Sequence, residues 1–257
     1  MKVTILGSGT STGVPEIGCT CPVCTSTDPR DRRLRCSALI EAGSGTRILV
    51  DCGPDFRRQM LSVPFAPLDA VLLTHEHYDH VGGIDDLRPF CRHGSVDLYA
   101  QGDVAEAIRR RIPYCFAAHK YPGVPALELH EIEAGCAFPV KDTEVLPFRV
   151  WHGRLPILGY RIGGLAYITD MTALPDESLA ALDGITHLVM NALRIAPHPT
   201  HQSLQEALDK VELLRSRTSL RTVYLIHMSH SIGLHREVDA ALPPYVRLAY
   251  DGLSFSF

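Results

Sequence analysis

Residues 72–83 of this sequence read LLTHEHYDHVGG, which places four possible metal ligands directly after an apolar run. Their spacing is H-x-H-x-D-H. His75 and His77 lie two residues apart in an extended segment, so their side chains project to one side and can bind one cation. Asp79 and His80 follow after the chain turns and can face a neighbouring cation. Single residues of these types at strand ends often only form hydrogen bonds, but four at this spacing favour a metal centre.

The motif resembles the hallmark of the metallo-β-lactamase superfamily of hydrolases, and the resemblance extends over nearly the whole chain. It implies three further ligands in order, each at the end of a strand. His152 would join the first two histidines of the motif on one metal. His227 would join Asp79 and His80 on the other, and Asp170 would bridge both metals.

The predicted ligand set limits which metals, substrates and reactions the site is expected to accept. Asp51 matches an early superfamily motif, where the resemblance implies a carboxylate that orients a ligating histidine and is not itself a ligand. Histidine and aspartate donors accept zinc, manganese or iron, of which zinc and manganese are expected here, and they favour hard oxyanion substrates. Two such cations about 3.5–4 Å apart would share a bridging hydroxide that attacks a phosphoryl group in line. The sequence therefore predicts a dinuclear phosphodiesterase.

A second predicted metal site lies at residues 18–24, which read GCTCPVC. Cys19, Cys21 and Cys24 have the tight spacing of thiolates around one structural zinc ion, which needs a fourth ligand. Cys36 and His230 are the candidates for that ligand, and the remaining cysteines form no pattern. Cysteines that are only buried thiols are the alternative interpretation.

The cysteine cluster, the H-x-H-x-D-H motif and the late H-x-S-H at 227–230 together resemble the PhnP-type phosphodiesterases, accessory proteins of the carbon–phosphorus lyase pathway of phosphonate metabolism. The resemblance implies that His227 serves the catalytic pair and that His230 closes the structural zinc site. It also implies a homodimer and a small phosphorylated substrate, 5-phosphoribosyl 1,2-cyclic phosphate, which is opened to the 1,5-bisphosphate.

A general acid is also expected, because the leaving alkoxide needs a proton. His201 is the candidate, and the PhnP resemblance implies an acid histidine at this place. It precedes a helix that begins near Ser203, whose free backbone N–H groups could hold a phosphate oxygen. His198 competes for the role, and an exposed loop histidine is the plain alternative.

Composition and periodicity predict an α/β fold. The chain has 257 residues, with 25 Lys and Arg against 29 Asp and Glu and 46% hydrophobic residues, which excludes a disordered chain. The order of elements, with many strands first and then strands that alternate with helices, predicts a four-layer αββα sandwich. We expect a single domain over 1–257, with a Cys-rich zinc loop around 18–36. The predicted helices are 103–111, 176–182 and 203–216. The predicted strands are 3–6, 37–41, 47–50, 70–73, 97–99, 143–150, 159–162, 166–168, 187–190, 222–226 and 247–250.

Two further segments have weaker predictions. The arginines at 109–111 point in three directions on a helix, so we expect a solvated face without a functional role. The irregular segment 114–125 could form a flap over the substrate. No run of the sequence approaches the ~18 apolar residues of a membrane span, so we expect a soluble cytoplasmic protein without a membrane partner.

Three other functions remain open at this point. A transfer-RNA 3′-processing nuclease would share the motif, but the net charge of −4 makes nucleic acid an unexpected partner. A thioester or β-lactam hydrolase would hydrolyse such esters and leave phosphodiesters intact. A non-catalytic metal-binding accessory protein would retain metal without any turnover.

Overall fold

The computed structural model describes the backbone of residues 1–257 and every side chain except that of His93. Within that backbone, fourteen strands form two mixed sheets of seven strands each. The strands of the first sheet are, in chain order, β1 (Lys2–Gly7), β2 (Ser37–Glu41), β3 (Arg47–Val50), β4 (Ala70–Leu72), β5 (Val96–Ala100), β6 (Leu127–Glu131) and β14 (Ser254–Ser256). The strands of the second sheet are β7 (Phe138–Val140), β8 (Thr143–His152), β9 (Leu155–Ile162), β10 (Leu165–Tyr167), β11 (His187–Asn191), β12 (Thr222–Ile226) and β13 (Val246–Leu248).

Each sheet is antiparallel at one end and parallel at the other. The first has the order β14-β1-β2-β3-β4-β5-β6, and its strands are parallel from β3 to β6. The second has the order β13-β12-β11-β10-β9-β8-β7, and its strands are parallel from β10 to β13. The parallel halves matter for function because the carboxyl ends of parallel strands meet at one edge of a sheet.

The α-helices are α1 (Phe56–Met60), α2 (Tyr78–Val81), α3 (Gly102–Arg111), α4 (Leu204–Arg215) and α5 (His235–Ala241). Short 3₁₀ helices cover Pro29–Asp31, Ile84–His93, Pro113–Cys115, Asp176–Leu182 and His230–Ile232. Every helix that the structure describes is too short or too polar to cross a membrane.

Three apolar clusters separate four layers. The cluster between the sheets combines Ile5 and Ile40 of the first sheet with Tyr160 and Tyr167 of the second. Helices α1 and α3 cover the outer face of the first sheet, where Ile108 is buried against the strands. Helices α4 and α5 cover the outer face of the second sheet. The predicted four-layer αββα sandwich is confirmed.

All eleven predicted strands are present, most with ends shifted by one or more residues. The sequence did not reveal β6, β7 and β14, because charged or polar residues interrupt β6 and β14 and Pro139 interrupts β7. Helix α4 begins where the capping box predicts, since the Ser203 hydroxyl accepts from the backbone of Glu206 and the Glu206 carboxylate accepts from the backbone of Ser203.

The two sheets are connected at the motif of residues 72–83. The Tyr160 hydroxyl donates to the carbonyl of Leu73 over 2.6 Å, and the Leu158 N–H donates to the carbonyl of Thr74 over 3.1 Å. Two glycines let the loops of the first sheet touch each other. A Cβ on Gly53 would lie 2.0 Å from the Asp79 carbonyl oxygen, and one on Gly83 would lie 2.0 Å from that of Gly53. The motif therefore sits in a tightly packed frame.

Candidate metal centre

The seven predicted catalytic ligands meet at one edge of the two sheets, where loops from both sheets converge. Six of them follow strands of the parallel halves, and His152 ends the antiparallel strand β8. They form overlapping groups whose nitrogen and oxygen atoms lie within 4.8 Å of one another. The groups are His75 with His77 and His152, Asp79 with His80 and His227, and Asp170 with His75 and His80.

In the first group, hydrogen bonds leave one ring nitrogen of His75 and one of His152 available for a cation. The His75 Nε2 and His77 Nδ1 atoms are 2.9 Å apart. The Thr74 hydroxyl donates to a carboxylate, so it accepts from His75 Nδ1 at 2.9 Å and leaves Nε2 without its proton. His152 Nδ1 donates to the Thr200 carbonyl over 2.7 Å, which likewise frees its Nε2. These contacts fix the tautomers of His75 and His152 that metal binding requires.

The second group depends on the buried carboxylate of Asp51. His80 Nδ1 donates to Asp51 Oδ2 over 2.7 Å, and the Thr74 N–H donates to Asp51 Oδ1 over 2.9 Å. His80 Nε2 then faces Asp79 Oδ2 at 3.1 Å, and His227 Nε2 lies 3.6 Å from the same oxygen. Asp51 thus lies behind a predicted ligand, in the orienting position that the sequence predicts for it.

Asp170 lies between the two groups. Its Oδ2 is 2.7 Å from His80 Nε2 and 3.5 Å from His75 Nε2, while its Oδ1 is 2.7 Å from His227 Nε2. One carboxylate therefore reaches ligands of both groups, which is the position that a bridging ligand needs.

Backbone strain is concentrated at these positions. Asp51, Asp170 and His227 have φ values of 59°, 52° and 56°, in the left-handed region that residues other than glycine rarely adopt. A buried amide holds the turn at Asp170. The Asn191 side chain accepts from the N–H of Met171, the next residue, and donates to its carbonyl. The fold imposes an unfavourable conformation on three residues whose side chains it directs into the centre.

The electrostatics of the ligands are dominated by their mutual contacts. Burial alone would raise the pKa of Asp170, but His227 and His80 outweigh it and hold that pKa well below its usual value. Burial lowers and Asp170 raises the pKa of His227, with a net rise to about 9. The carboxylates of Asp170, Asp51 and Asp79 similarly raise the pKa of His80 against its burial. Without a cation, two histidines here hold protons that a metal would displace.

The donor set fits divalent cations. Among the described side chains, six buried polar atoms at this centre lack a hydrogen-bond partner, namely His80 Nε2, both Asp170 oxygens, His201 Nδ1 and both His227 nitrogens. Some of these atoms are close together, but they lack the alignment that a hydrogen bond requires. Buried polar groups that converge without satisfying one another are expected where a cation completes them.

Both candidate acids lie beside the centre, but only one contacts a predicted ligand. His201 Nδ1 is 3.3 Å from Asp170 Oδ1, and its ring stacks on that of His227 at 4.9 Å. His198 lies one ring further out, 5.2 Å from His201, where its Nδ1 accepts from the backbone of Thr200. Burial lowers the pKa of His201 to about 3.

The second predicted metal site also assembles. The Sγ atoms of Cys19, Cys21 and Cys24 lie 3.1, 3.4 and 3.4 Å from His230 Nδ1. The backbone N–H of Cys24 lowers the pKa of Cys21 to about 6. Cys36, the other candidate for the fourth ligand, is buried between the sheets. Three thiols and an imidazole nitrogen form a set that fits a closed, structural zinc site.

The structure adds one residue to which the sequence assigned no role. Arg109 pairs with Glu131 and Arg110 with Glu106, as expected for a solvated face. Arg111, at the end of α3, donates instead to the carbonyl of Glu76, the residue between the first two histidines of the motif. The sequence gives no signal for this contact, because it depends on how α3 packs beside α2.

Known proteins share this architecture. A family model described as "Beta-lactamase superfamily domain" matches residues 46–228. A solved structure, described as a new diphosphatase from the PhnP family, has a TM-score of 0.90 and 38% identity, and the match covers 100% of this chain and 97% of that one. Zn²⁺-bound PqqB from Methylobacterium extorquens shares the fold at a TM-score of 0.79 and 20% identity, over 100% of both chains.

One curated relative has a different name. The "Octanoyltransferase" of Porphyromonas gingivalis is 48% identical over 254 residues, which are 98% of this chain and 51% of that protein. The chain thus spans about half the length of this relative. Because the domain model covers most of the sequence and the PhnP-family structure matches it end to end, this chain belongs to the β-lactamase superfamily and, within it, to the PhnP family.

Proposed function

We propose that this protein is a dinuclear metal-dependent phosphodiesterase that opens a small cyclic phosphodiester such as 5-phosphoribosyl 1,2-cyclic phosphate. The observation that carries the proposal is the position of Asp170, whose carboxylate reaches His80 and His227 at 2.7 Å on either side. The ligands around it are nitrogen and oxygen donors, which suit manganese or zinc and oxyanion substrates. Membership of the PhnP family supports the same chemistry.

Each proposed ligand group has a defined task. His75, His77 and His152 would hold one divalent cation, and Asp79, His80 and His227 the other, with Asp170 shared. When bound, the two cations would supply an activated water and positive charge for the phosphoryl oxygens. Asp51 and Thr74 keep the rings of His80 and His75 turned so that Nε2 faces inward.

His201 is the proposed general acid. Its Nδ1 faces the Asp170 carboxylate, which leaves Nε2 as the nitrogen that would give its proton to the leaving alkoxide. Burial lowers the pKa of this ring to about 3, and an anionic phosphoryl group beside it would raise that pKa again. The ring would therefore gain its proton when the substrate is present.

A structural zinc ion is proposed for Cys19, Cys21, Cys24 and His230. His230 lies three residues after His227 in one short segment, so a cation bound by the thiols would also hold the segment that carries a catalytic ligand. The cysteine loop would then stabilise one side of the catalytic centre.

A diphosphate is the second candidate substrate class, because the similar PhnP-family structure is described as a diphosphatase. Two cations could neutralise adjacent phosphoryl groups as they would a diester. The name of the Porphyromonas gingivalis relative makes an octanoyl thioester a third compound to test, although the chain covers only 51% of that protein.

The test is a comparison of substrates on one preparation. The purified protein is stripped of metal, reloaded with manganese or zinc, and given a ribose 1,2-cyclic phosphate, a linear phosphodiester, a diphosphate diester and an octanoyl thioester. Phosphorus NMR and thiol release follow the products. Metal-dependent ring opening that far exceeds the other reactions is the expected result. Turnover of the thioester alone would overturn the proposal, and faster cleavage of the diphosphate would replace it with the second candidate.

Two variants distinguish the loss of a metal ligand from a general effect of replacing a histidine. His77→Ala should lower turnover by more than the ~100-fold that loss of an outer partner typically costs. His130→Ala is the matched control, because this histidine pairs with Asp97 at 3.0 Å on an exposed part of β6. If His77→Ala retained both metal content and turnover, the ligand assignment would be wrong.

A further inference from the structure

The hydroxyl of Thr172 makes two hydrogen bonds beside the metal centre, and the proposed function gives it no task. It donates to the carbonyl of Thr200 over 2.6 Å and accepts from the backbone N–H of Gly153 over 2.9 Å. The Thr200 carbonyl accepts a second hydrogen bond, from His152 Nδ1 at 2.7 Å. One hydroxyl therefore connects three loops, which follow β8, β10 and β11.

Each of these loops adjoins or carries a residue with a proposed task. Strand β8 ends at His152, the loop after β10 carries Asp170, and the loop after β11 carries His201, directly after Thr200. The His201 and His152 ring centroids are 4.7 Å apart, and His201 Nδ1 is 3.3 Å from Asp170 Oδ1. A shift of the loop after β11 would therefore move the proposed acid relative to two proposed ligands.

The Thr200 carbonyl is the point at which the segment 196–200 is bonded to the rest of the molecule. Among the residues that the structure describes, the other hydrogen bonds of this segment are local. The Arg194 side chain donates to two of its carbonyls, and the Thr200 N–H donates to His198 Nδ1. The position of His201 thus depends on the partners of one carbonyl, and the Thr172 hydroxyl forms the shorter of its two bonds.

We propose that Thr172 is a positioning residue that holds the general acid His201 in place, a role that rests on the proposed function. In that reaction a hydroxide formed from water bonds to phosphorus and the bond from phosphorus to the alkoxide oxygen breaks. His201 Nε2 gives its proton to that oxygen, which requires hydrogen-bond reach between the two atoms. Thr172 touches neither atom, and it acts by fixing the carbonyl that precedes the acid.

The test compares two leaving groups in protein saturated with Mn²⁺. A ribose 1,2-cyclic phosphate releases a sugar alkoxide that needs a proton, whereas bis(4-nitrophenyl) phosphate releases a weakly basic phenolate that does not. Thr172→Val keeps the shape of the side chain and removes both hydrogen bonds. Its kcat should fall by about 10- to 100-fold on the cyclic phosphate and change little on the nitrophenyl diester. His201→Ala should show the same dependence on the leaving group.

The controls separate a positioning role from a general structural one. Thr172→Ser keeps the hydroxyl and should restore turnover of the cyclic phosphate. Thr218→Val is the matched control, because the Thr218 hydroxyl also donates to a carbonyl, that of Leu214 at 2.9 Å, and accepts from the Leu220 N–H at 3.3 Å, but beyond the end of α4. Equal losses on both substrates in Thr172→Val, or no loss on the cyclic phosphate, would overturn the proposal. A wild-type protein that cleaves neither substrate would overturn the proposed function instead.

A measurement without turnover tests the positioning by itself. Hydrogen exchange followed by mass spectrometry reports how firmly backbone N–H groups are held, and it can be recorded with and without Mn²⁺. In Thr172→Val, exchange should be faster in the peptides that cover Gly153 and residues 198–201, whereas Thr218→Val should leave these peptides unchanged. Wild-type exchange at both places in Thr172→Val would overturn the proposal, whether or not the protein cleaves a diester.

Discussion

At the residue scale, the centre depends on carboxylates and carbonyls behind the proposed ligands. Asp51 is fully buried, and it accepts from His80 Nδ1 and from Thr74. Burying a carboxylate is unfavourable unless such partners are present. The hydrogen bond between Asp51 and His80 fixes the direction of the His80 ring. The unfavourable free energy of burying the Asp51 carboxylate must be offset by the rest of the fold.

Replacement of Asp51 by Ala should weaken binding of the second cation by about 10- to 100-fold, because the His80 ring loses its orienting acceptor. Competition with a chelator of known affinity measures the effect. Asp97→Ala is the matched control, since Asp97 also pairs with a histidine, at 3.0 Å, but on the exposed surface. Equal affinities in the wild-type protein and Asp51→Ala would show that Asp51 does not orient a ligand.

Metal binding should also depend on pH in a defined direction. The pKa of His227 is raised to about 9 by Asp170, and that of His80 is raised as well, so both rings are protonated at neutral pH in the metal-free protein. A cation must displace these protons, so affinity should rise as the pH increases towards 9. Calorimetry in two buffers of different ionisation enthalpy should detect proton release. An affinity independent of pH between 6 and 8 would contradict these protonation states.

At this scale the sequence predicts the ligands better than it predicts what holds them. The four predicted ligands of the motif lie within six residues, so their spacing is sufficient to predict them, and the predicted ligands at strand ends come from the family resemblance. The left-handed backbone at Asp51, Asp170 and His227 has no sequence signal, because none of these residues is glycine. The two hydrogen bonds between the Asn191 side chain and the Met171 backbone connect the ends of neighbouring strands, β11 and β10. A local sequence pattern cannot detect such a contact.

At the scale of the elements, the centre is positioned by loops that touch through glycine. Gly53 follows β3 and lies against the carbonyl of Asp79 in α2, with no room for a side chain. This contact sets the distance between the loop that carries Asp51 and the helix that carries two of the proposed ligands, Asp79 and His80. A methyl group on residue 53 must therefore displace either the loop that carries Asp51 or helix α2.

Gly53→Ala should lower the free energy of unfolding by about 1–3 kcal/mol, as overpacking in a close-packed region does, and it should weaken metal binding. Urea unfolding of the metal-free and metal-loaded protein measures both effects. Gly43→Ala is the matched control, because a Cβ there meets no atom within 4 Å. Similar stability for the two variants would mean that α2 can move away from residue 53 without displacing Asp79 and His80.

The sequence predicts most elements but not how they pack. Eleven strands and helix α4 are recognised from apolar runs and a capping box, which are local signals. The contact from Arg111 to the Glu76 carbonyl is not recognised, since it arises where separate elements meet. The strands β6, β7 and β14 lie at sheet edges, and their charged, polar or proline residues interrupt the apolar pattern.

At the scale of the whole molecule, the cysteine cluster connects the chain near its amino terminus with the segment after β12. Cys19, Cys21 and Cys24 lie in the first loop, and His230 lies more than 200 residues later. A cation at this site would close a long loop, and closure of a long loop removes much of the entropy of the unfolded chain.

Cys21→Ser should therefore lose one equivalent of zinc and lower the Tm, while the catalytic centre retains its metals. Elemental analysis and thermal unfolding follow the two effects. Cys136→Ser is the control, because Cys136 is an exposed thiol outside the cluster. A Cys21→Ser protein with unchanged zinc content would show that the cluster is only a group of neighbouring thiols.

The most direct test of the dinuclear centre is a titration of the metal-free protein with Mn²⁺, with turnover of a ribose 1,2-cyclic phosphate measured at each step. Manganese suits the nitrogen and oxygen donors and binds thiolates poorly, so it reports on the catalytic centre and not on the cysteine cluster. We predict two bound equivalents and little turnover until the second is added. Full turnover with one equivalent, or without metal, would contradict the dinuclear centre.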